Sequence, residues 1–207
     1  MPDDSPRTRQ GLRTRGALLR AGRQVLEERG YHQTRIADIT RKANTSVGSF
    51  YLHFAGKYEI FRQLLIDVED EVYGELTPRL STSTDPRERI AETNRLYLRA
   101  FERNAQLWRV IEEASLSDPE PSRVLSERLR LYRSRTERAI LRWQAAGDVD
   151  PDLDAALAAE MLGSMTERCA YHWFVFGTAP DLDAATEQLT TLWLNMLGID
   201  DPVWSES

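Results

Sequence analysis

The chain has 207 residues, of which 41% are hydrophobic and 29% charged, with a formal net charge of −6 and a single cysteine. This composition is typical of a soluble globular protein of one large or two small domains, and one cysteine excludes an internal disulfide. The N-terminus lacks an apolar leader, and no apolar run approaches the roughly 18 residues of a membrane span, so we expect a cytoplasmic protein with no membrane contact.

The charge is distributed unevenly. Residues 1–57 contain nine Arg and two Lys against five acidic residues, a net charge of +6, so the rest of the chain carries −12. Such asymmetry is typical of a short nucleic-acid-binding segment attached to a body with another role. A solvated basic arm would show the same charge, so charge alone leaves both interpretations open.

Apolar spacing and capping residues predict four helices in the first part of the chain. Leu18, Ala21 and Val25 share one face of the first helix. The predicted helices are, in order, residues 8–30, a short helix capped by Thr34, a short helix capped by Thr45 or Ser46 and ending near His53, and a helix from Lys57 to a point before Pro78.

The body of the chain also consists of predicted helices. Asp85, Pro86 and Glu88 stand at the N-cap, N1 and N3 positions of a typical helix start. Strand signals are nearly absent, so we expect an all-α fold. The last two predicted helices are apolar around most of their circumference and need a partner to cover them. The predicted body helices after the first are residues 105–117, 120–146, 151–176 and 181–197.

Sequence signatures of catalysis are absent. The chain has no Glu-x-x-His pair for a di-metal site, no Gly-x-Ser-x-Gly elbow and no glycine-rich phosphate loop. Cys169 lies within a predicted helix, where we interpret it as a packing residue. We therefore expect no enzyme, no metal and no cofactor.

Residues 34–57 read TRIADITRKANTSVGSFYLHFAGK, a helix, a short turn, a second helix and a loop. This order indicates a helix-turn-helix. The segment GSFYLHF at 48–54, followed by Lys57, closely resembles the recognition-helix signature of the TetR family of bacterial transcriptional repressors. Gly30-Tyr31, Thr34, Ile39 and Ala43 match the same pattern. The resemblance covers about the first 65 residues, and in the body it consists of the helical layout.

A recognition helix must approach the floor of the major groove, and the segment TSVGS at 45–49 places only small side chains at the entering end. The alternative interpretation of Gly48 is that it only forms a loose turn. Asn44 stands where the family mostly has glycine, which asparagine accommodates in a left-handed conformation. The resemblance implies base readout by Arg35, Thr45, Ser46, Val47, Gly48 and Ser49, and contacts to the DNA backbone by Tyr51, His53 and Lys57.

The resemblance also implies that the body dimerises and binds a small molecule. We expect a DNA-binding domain at 1–57 and a ligand-binding and dimerisation domain at 58–207. Two copies of the last two helices would form an intermolecular four-helix bundle; coverage by helices of the same chain is the alternative. The predicted dimer interface is Met161, Met165, Leu189, Leu192 and Met196.

Aromatic, leucine and threonine residues recur in the body, partly at steps of three and four, and predict an apolar chamber with a few polar groups. These side chains also suit a plain core, and that alternative stays open. Such a chamber favours a lipophilic, largely uncharged or weakly cationic ligand. The predicted lining is Tyr97, Phe101, Trp108, Leu125, Leu129, Tyr132, Thr136, Thr166, Tyr171 and Trp193.

These features predict a ligand-responsive repressor that binds a palindromic DNA operator as a homodimer and is released by a lipophilic small molecule. Two other classes fit the sequence less well. One is a small-molecule-binding or scaffold protein with a vestigial helix-turn-helix, and the other is an all-α enzyme.

Overall fold

The structure is a computed structural model that describes residues 9–74 and 85–199. Within these residues the chain is helical and contains no strand, which confirms the all-α prediction. The helices are α1 (Arg9–Gln33), α2 (Ile36–Lys42), α3 (Val47–Tyr51), α4 (Lys57–Gly74), α5 (Pro86–Arg103), α6 (Ala105–Ser117), α7 (Pro119–Ala146), α8 (Ala155–Val175) and α9 (Leu182–Leu197). The predicted end of the fourth helix, before Pro78, lies outside the described residues.

Two predicted N-caps are confirmed, and a glycine caps the end of the last helix. The Ser46 hydroxyl accepts a hydrogen bond from the Ser49 N–H at 3.0 Å and begins α3. The Asp85 carboxylate accepts from the Arg87 N–H at 2.9 Å and begins α5. Gly198 ends α9 with a left-handed φ of 66°, a conformation that glycine adopts without steric cost.

Two predicted helix starts are wrong. The Thr34 hydroxyl donates to the Gly30 carbonyl at 2.7 Å, so the N-cap of α2 is Arg35, whose side chain makes no capping bond. Helix α8 begins at Ala155 because the Asp154 carboxylate accepts from two backbone N–H groups of its first turn. Asp154 is therefore the cap, and the helix begins four residues after the predicted start at residue 151.

The chain forms two compact units. The first comprises the chain up to Val68 together with Gln106–Val124, and the second comprises Glu69–Ala105 together with the chain from Leu125 onward. Helix α6 therefore lies in the same unit as α1, α2 and α3, beyond the boundary between residues 57 and 58 that the sequence suggested.

In the first unit, the C-terminal part of α1 contacts α6. Helix α1 bends at Gly30, whose φ of 77° and ψ of 171° suit glycine almost alone. A Cβ atom at Gly30 would lie 2.7 Å from a carboxylate oxygen of Glu113 on α6, so the Glu113 side chain would have to move. Arg109 of α6 donates to the Glu27 carbonyl of α1 at 3.2 Å.

Lys57, the first residue of α4, links α4 to the C-terminal end of α1. Its Nζ donates to the Tyr31 carbonyl at 2.8 Å and lies 4.5 Å from the centre of the Tyr31 ring. Burial lowers the pKa of Lys57, while the charges of Asp118 and Glu113 act in the opposite direction. The ammonium group thus satisfies an end carbonyl of α1, the position where cations stabilise a helix.

The second unit has its core between α5, α7, α8 and α9. Small alanines on α8 let the helices approach, and larger side chains fill the space between them. The buried members of this cluster are Ile90, Ile140, Val149, Ala155, Ala158, Ala159, Leu162, Trp193, Leu194 and Leu197.

We predict that Lys57→Met lowers the free energy of unfolding by about 1–2 kcal/mol, because it removes a charge-assisted hydrogen bond and a cation–π contact. Urea denaturation followed by circular dichroism measures the change. Lys42→Met is the control, since Lys42 pairs with an exposed Glu28 on the surface and such pairs contribute less. Equal destabilisation of the two variants would contradict the structural role of Lys57.

Candidate DNA-binding and effector sites

Helix α3 is held in place by two phenylalanines on its inner side. Phe50 and Phe54 are 0% and 2% exposed, and their ring centres lie 5.6 Å apart. The Arg15 guanidinium of α1 lies 5.1 Å from the centre of the Phe54 ring and donates to Gln63 of α4 at 3.0 Å. The inner side of α3 is therefore fixed to its own unit.

The outer side of α3 carries small exposed residues. Ser46, Val47 and Gly48 are exposed, while Thr45 and Ser49 are half-buried. A Cβ at Gly48 would have only the Ser46 hydroxyl as a neighbour, at 3.8 Å, so packing within the chain does not require glycine here. The surface that these five residues form is hereafter the reading face. Such a face can approach the base edges of a major groove closely.

The residues that flank the reading face differ in how far their side chains are exposed and free of partners within the chain. Tyr51 is 56% exposed, and Arg35 is exposed at the start of α2. His53 is buried; burial lowers its pKa and the nearby Arg15 lowers it further, so the imidazole is neutral at pH 7. The Lys57 ammonium is bound to the Tyr31 carbonyl. Of the three predicted DNA-backbone contacts, only Tyr51 is freely exposed in this structure.

Asp38 organises the helix-turn-helix, and sequence reasoning did not single it out. Its carboxylate accepts from Arg29 of α1 at 3.0 Å and from Arg41 at 2.9 Å, and its side chain is 10% exposed. A buried carboxylate with two charged donors is strongly held. The i,i+3 spacing to Arg41 is visible in the sequence, whereas the contact to Arg29 depends on how α1 packs on α2. Asn44 adopts a φ of 51°, which confirms the expected left-handed turn.

A small cleft lies between α5, α7 and α8 in the second unit. Its volume is about 10 Å³, room for roughly one water molecule. Four predicted chamber residues line it, and the Tyr97 and Tyr132 rings stack with centres 6.4 Å apart. Burial raises the pKa of Tyr132 to about 12, so its hydroxyl stays protonated. The cleft is lined by Tyr97, Leu129, Tyr132, Arg133, Gly163, Ser164, Thr166 and Glu167.

The cleft contains charged groups that the sequence prediction omitted. Arg133 lines it and pairs with Glu160 at 3.2 Å, and Glu167 lines it as well. The Thr166 hydroxyl is occupied: it accepts from the Trp193 indole N–H and donates to the Leu162 carbonyl, both at 3.0 Å. Thr166 and Trp193 therefore belong to a satisfied core.

The other predicted chamber residues are more dispersed. Phe101 is buried, with its ring 6.0 Å from Tyr97, and Tyr171 packs edge-on against Phe176. Leu125 and Thr136 are half-buried on α7. Trp108 lies in the first unit, whereas the other nine residues lie in the second.

Helices α8 and α9 expose an apolar face. Leu157 and Met161, one turn apart on α8, are each 54% exposed. Leu192 and Met196, one turn apart on α9, are 50% and 37% exposed. We call these four residues the α8–α9 face. Two of the predicted interface residues are not part of it: Leu189 is buried, and Met165 packs against the core of the second unit.

Neither metal binding nor membrane insertion finds support in residues 9–74 and 85–199. No group of three or more His, Cys, Asp or Glu side chains in these ranges is placed to hold a metal ion. No helix described there is long and apolar enough to cross a bilayer.

Comparison with known proteins gives matches along most of the chain. A family model described as bacterial regulatory proteins, tetR family, matches residues 18–64, and one described as a tetracyclin repressor-like C-terminal domain matches residues 83–197. The transcriptional activator FasR of Mycolicibacterium smegmatis is 31% identical over 99 residues, 48% of this chain and 45% of FasR. The chain thus matches about half the length of FasR.

Two further relatives match over nearly their whole length. The transcriptional regulator EthR of Mycolicibacterium smegmatis is 26% identical, over 93% of this chain and 92% of EthR. The crystal structure of the regulator FadR from Bacillus subtilis in complex with stearoyl-CoA shares the fold, with a TM-score of 0.75 at 20% identity, over 86% of this chain and 96% of FadR. The C-terminal family match alone covers more than half of the chain. The chain therefore belongs to the TetR family of transcriptional regulators, with a DNA-binding helix-turn-helix and a C-terminal ligand-binding domain.

Proposed function

We propose that this protein is a ligand-responsive repressor that binds a palindromic operator as a homodimer and leaves it when a lipophilic effector binds. Residues 1–57 read the DNA, and residues 58–207 carry the effector and dimer sites. The protein acts by binding and not as an enzyme, and it works in the cytoplasm. The observation that carries this proposal is the reading face, which is small and exposed over two buried phenylalanines.

The reading face suits a major groove because its members leave room for base edges. The hydroxyls of Thr45, Ser46 and Ser49 donate to or accept from bases, and the methyl groups of Val47 suit a thymine methyl. Arg35 and Tyr51 flank these residues and reach outward, where phosphate contacts set the register.

The direct test of this function is footprinting on the intergenic DNA next to the protein's own gene, with and without cell extract. We expect protection of two half-sites whose centres lie about 34–36 Å apart or slightly more. Transcription from the same promoter in vitro distinguishes repression from activation. Activation is the role given in the name of the relative FasR. Salt-independent or absent binding would leave a scaffold protein as the better interpretation.

A prediction for the reading face concerns Gly48→Ala. The added methyl group meets no steric obstacle in the protein and favours the helix, so the unfolding midpoint should stay constant or rise. Affinity for the footprinted duplex should fall about tenfold or more, because the methyl group disrupts at least one good base contact. Fluorescence anisotropy measures the affinity, and a scrambled duplex serves as the control. An equal decrease on both duplexes would contradict base readout by this face.

The homodimer proposal rests on the α8–α9 face. Four large apolar side chains at one-turn spacing on two adjacent helices stay exposed, although the remaining apolar residues of those helices are largely buried. A second copy would cover this face by two-fold symmetry, which also doubles the number of bases read.

We predict that Leu192→Glu or Met161→Glu converts the dimer to a monomer, because each places an unpaired charge in an apolar interface. Sedimentation velocity at micromolar concentration measures the change. Leu116→Glu is the matched control, since Leu116 is 83% exposed and lies in the first unit. A monomeric parent protein would rule out this interface.

The effector proposal rests on the cleft and on the stacked Tyr97 and Tyr132 rings. FadR of Bacillus subtilis binds stearoyl-CoA, which supports an elongated apolar effector for this chain too. Because the cleft has room for roughly one water, an effector must open it, and DNA release then follows from tighter effector binding to the state that does not fit the operator. Arg133 and Glu167 line the cleft, so charged groups on an otherwise lipophilic effector would affect its affinity.

We predict that Gly163→Leu abolishes effector binding while DNA binding survives, because the new side chain fills the cleft beside Tyr132. Long-chain acyl compounds and lipophilic aromatics are the probes; quenching of tryptophan fluorescence and a rise in Tm are the readouts. Ala156→Leu adds a similar bulk at an exposed position of the same helix and should change neither readout. If Gly163→Leu binds the probes as the parent does, the effector site lies elsewhere.

A further inference from the structure

Three arginines form a stripe on the outer side of α1. Arg9, Arg13 and Arg20 are all exposed. At about 100° per residue they fall within about 40° of one another around the helix, on the side away from the buried Leu18. They span about 16 Å along the axis. We call these three residues the α1 cationic face.

Most other cations of the first unit are already engaged. Arg29 and Arg41 bind Asp38, Arg23 binds Glu27, Lys42 binds Glu28 and Lys57 binds the Tyr31 carbonyl. In contrast, Arg9, Arg13 and Arg20 have no ion pair or side-chain hydrogen bond with any other described residue. Like charges one turn apart, as at Arg9 and Arg13, oppose helix formation. The α1 cationic face therefore does not stabilise the isolated fold.

Gly16 lies within the same stripe. Glycine inside a helix is unfavourable, and a Cβ at Gly16 would meet only the end of the Arg20 side chain, at 3.5 Å. Gly22 of the same helix differs, because a Cβ there would lie 2.7 Å from the buried Ile60. Packing explains Gly22 but not Gly16. Because Gly16 has no side chain, a partner surface can approach the helix backbone between the arginines.

Helix α1, which carries the stripe, lies beside the recognition helix. Arg15 is two residues from Arg13 and points to the opposite side of α1, where it contacts the Phe54 ring that anchors α3. The N-terminal half of α1 is therefore adjacent to the recognition helix, and the α1 cationic face is on the solvent-exposed side of α1 away from that contact.

We propose that the α1 cationic face binds the phosphate backbone of DNA that flanks the bases contacted by the reading face. The inference rests on the proposed DNA binding and extends it to a second surface. Guanidinium groups match phosphate oxygens in a bidentate geometry, and three of them along one side of a helix suit a polyanion. Such contacts raise affinity for any sequence and position the reading face without specifying bases.

The test compares Arg9→Gln/Arg13→Gln/Arg20→Gln with a charge-matched control, Arg99→Gln/Arg135→Gln/Arg142→Gln, whose three exposed arginines lie in the second unit. Both triple variants have the same net charge. Affinity for a long cognate duplex and for a scrambled duplex is measured between about 50 and 200 mM salt, the range over which counterion release is resolved.

We expect the affinity of the α1 variant to fall about tenfold or more on both duplexes, and its log–log salt slope to decrease by about 0.9 for each phosphate that it no longer neutralises. The control should keep the parent's slope. Arg9→Lys/Arg13→Lys/Arg20→Lys should keep most of the slope, which separates charge from folding. On a duplex trimmed to the bases that the reading face protects, the α1 variant and the parent should bind alike.

An α1 variant with the parent's slope on the long duplex, or a control whose affinity falls as far, would overturn the inference. The outcome is separable from failure of the proposed function. Weaker binding by Gly48→Ala together with an unchanged α1 variant would keep the reading face and reject the second surface. No DNA binding by the parent protein would reject both.

Discussion

The position of the recognition helix depends on the burial of Phe50 and Phe54. Helix α3 has five residues, too few to persist alone, because helix nucleation costs more than so few backbone hydrogen bonds return. Two fully buried phenylalanines supply roughly 2–3 kcal/mol each, and the Ser46 cap fixes the first turn. Both rings point inward, and the small residues at 45–49 lie on the outer side, with Tyr51 beside them. The packing that stabilises the helix thus also determines what reaches a groove.

The same unit divides its positive charge between folding and binding. Asp38 holds two arginines from different helices, and Lys57 satisfies the end of α1. These cations keep α1, α2 and α4 in register, so that the reading face has one orientation. The net charge of +6 counted in residues 1–57 therefore overstates the charge offered to a partner. The described cations of this segment that have no ion pair or side-chain hydrogen bond are Arg9, Arg13, Arg20 and Arg35.

Local signals in the sequence predicted much of this fold, and contacts between distant segments limited the rest. Caps such as Ser46 and Asp85 act within one turn, so their pattern was readable. The contact between Lys57 and the Tyr31 carbonyl could not be read from the sequence, because the two residues are 26 positions apart and the acceptor is a backbone group. The place of α6 in the first unit depends on such contacts too, since Arg109 binds the carbonyl of Glu27. No periodicity within a single helix reveals either contact.

The second unit shows why a pocket is harder to infer than a core. Aromatic rings and threonines at helical spacing are found both in cores and in pockets. Thr166 and Trp193 could equally orient a ligand, but here they form a hydrogen bond with each other inside the core. The cleft beside Tyr132 is small, so any effector must first separate the Tyr97 and Tyr132 rings or part α7 from α8. The free energy needed to open the cleft is recovered only if the opened state binds the effector more tightly than the closed state does. Coupling of this kind is reciprocal, so under the proposed function operator DNA would weaken effector binding by the same factor by which the effector weakens DNA binding.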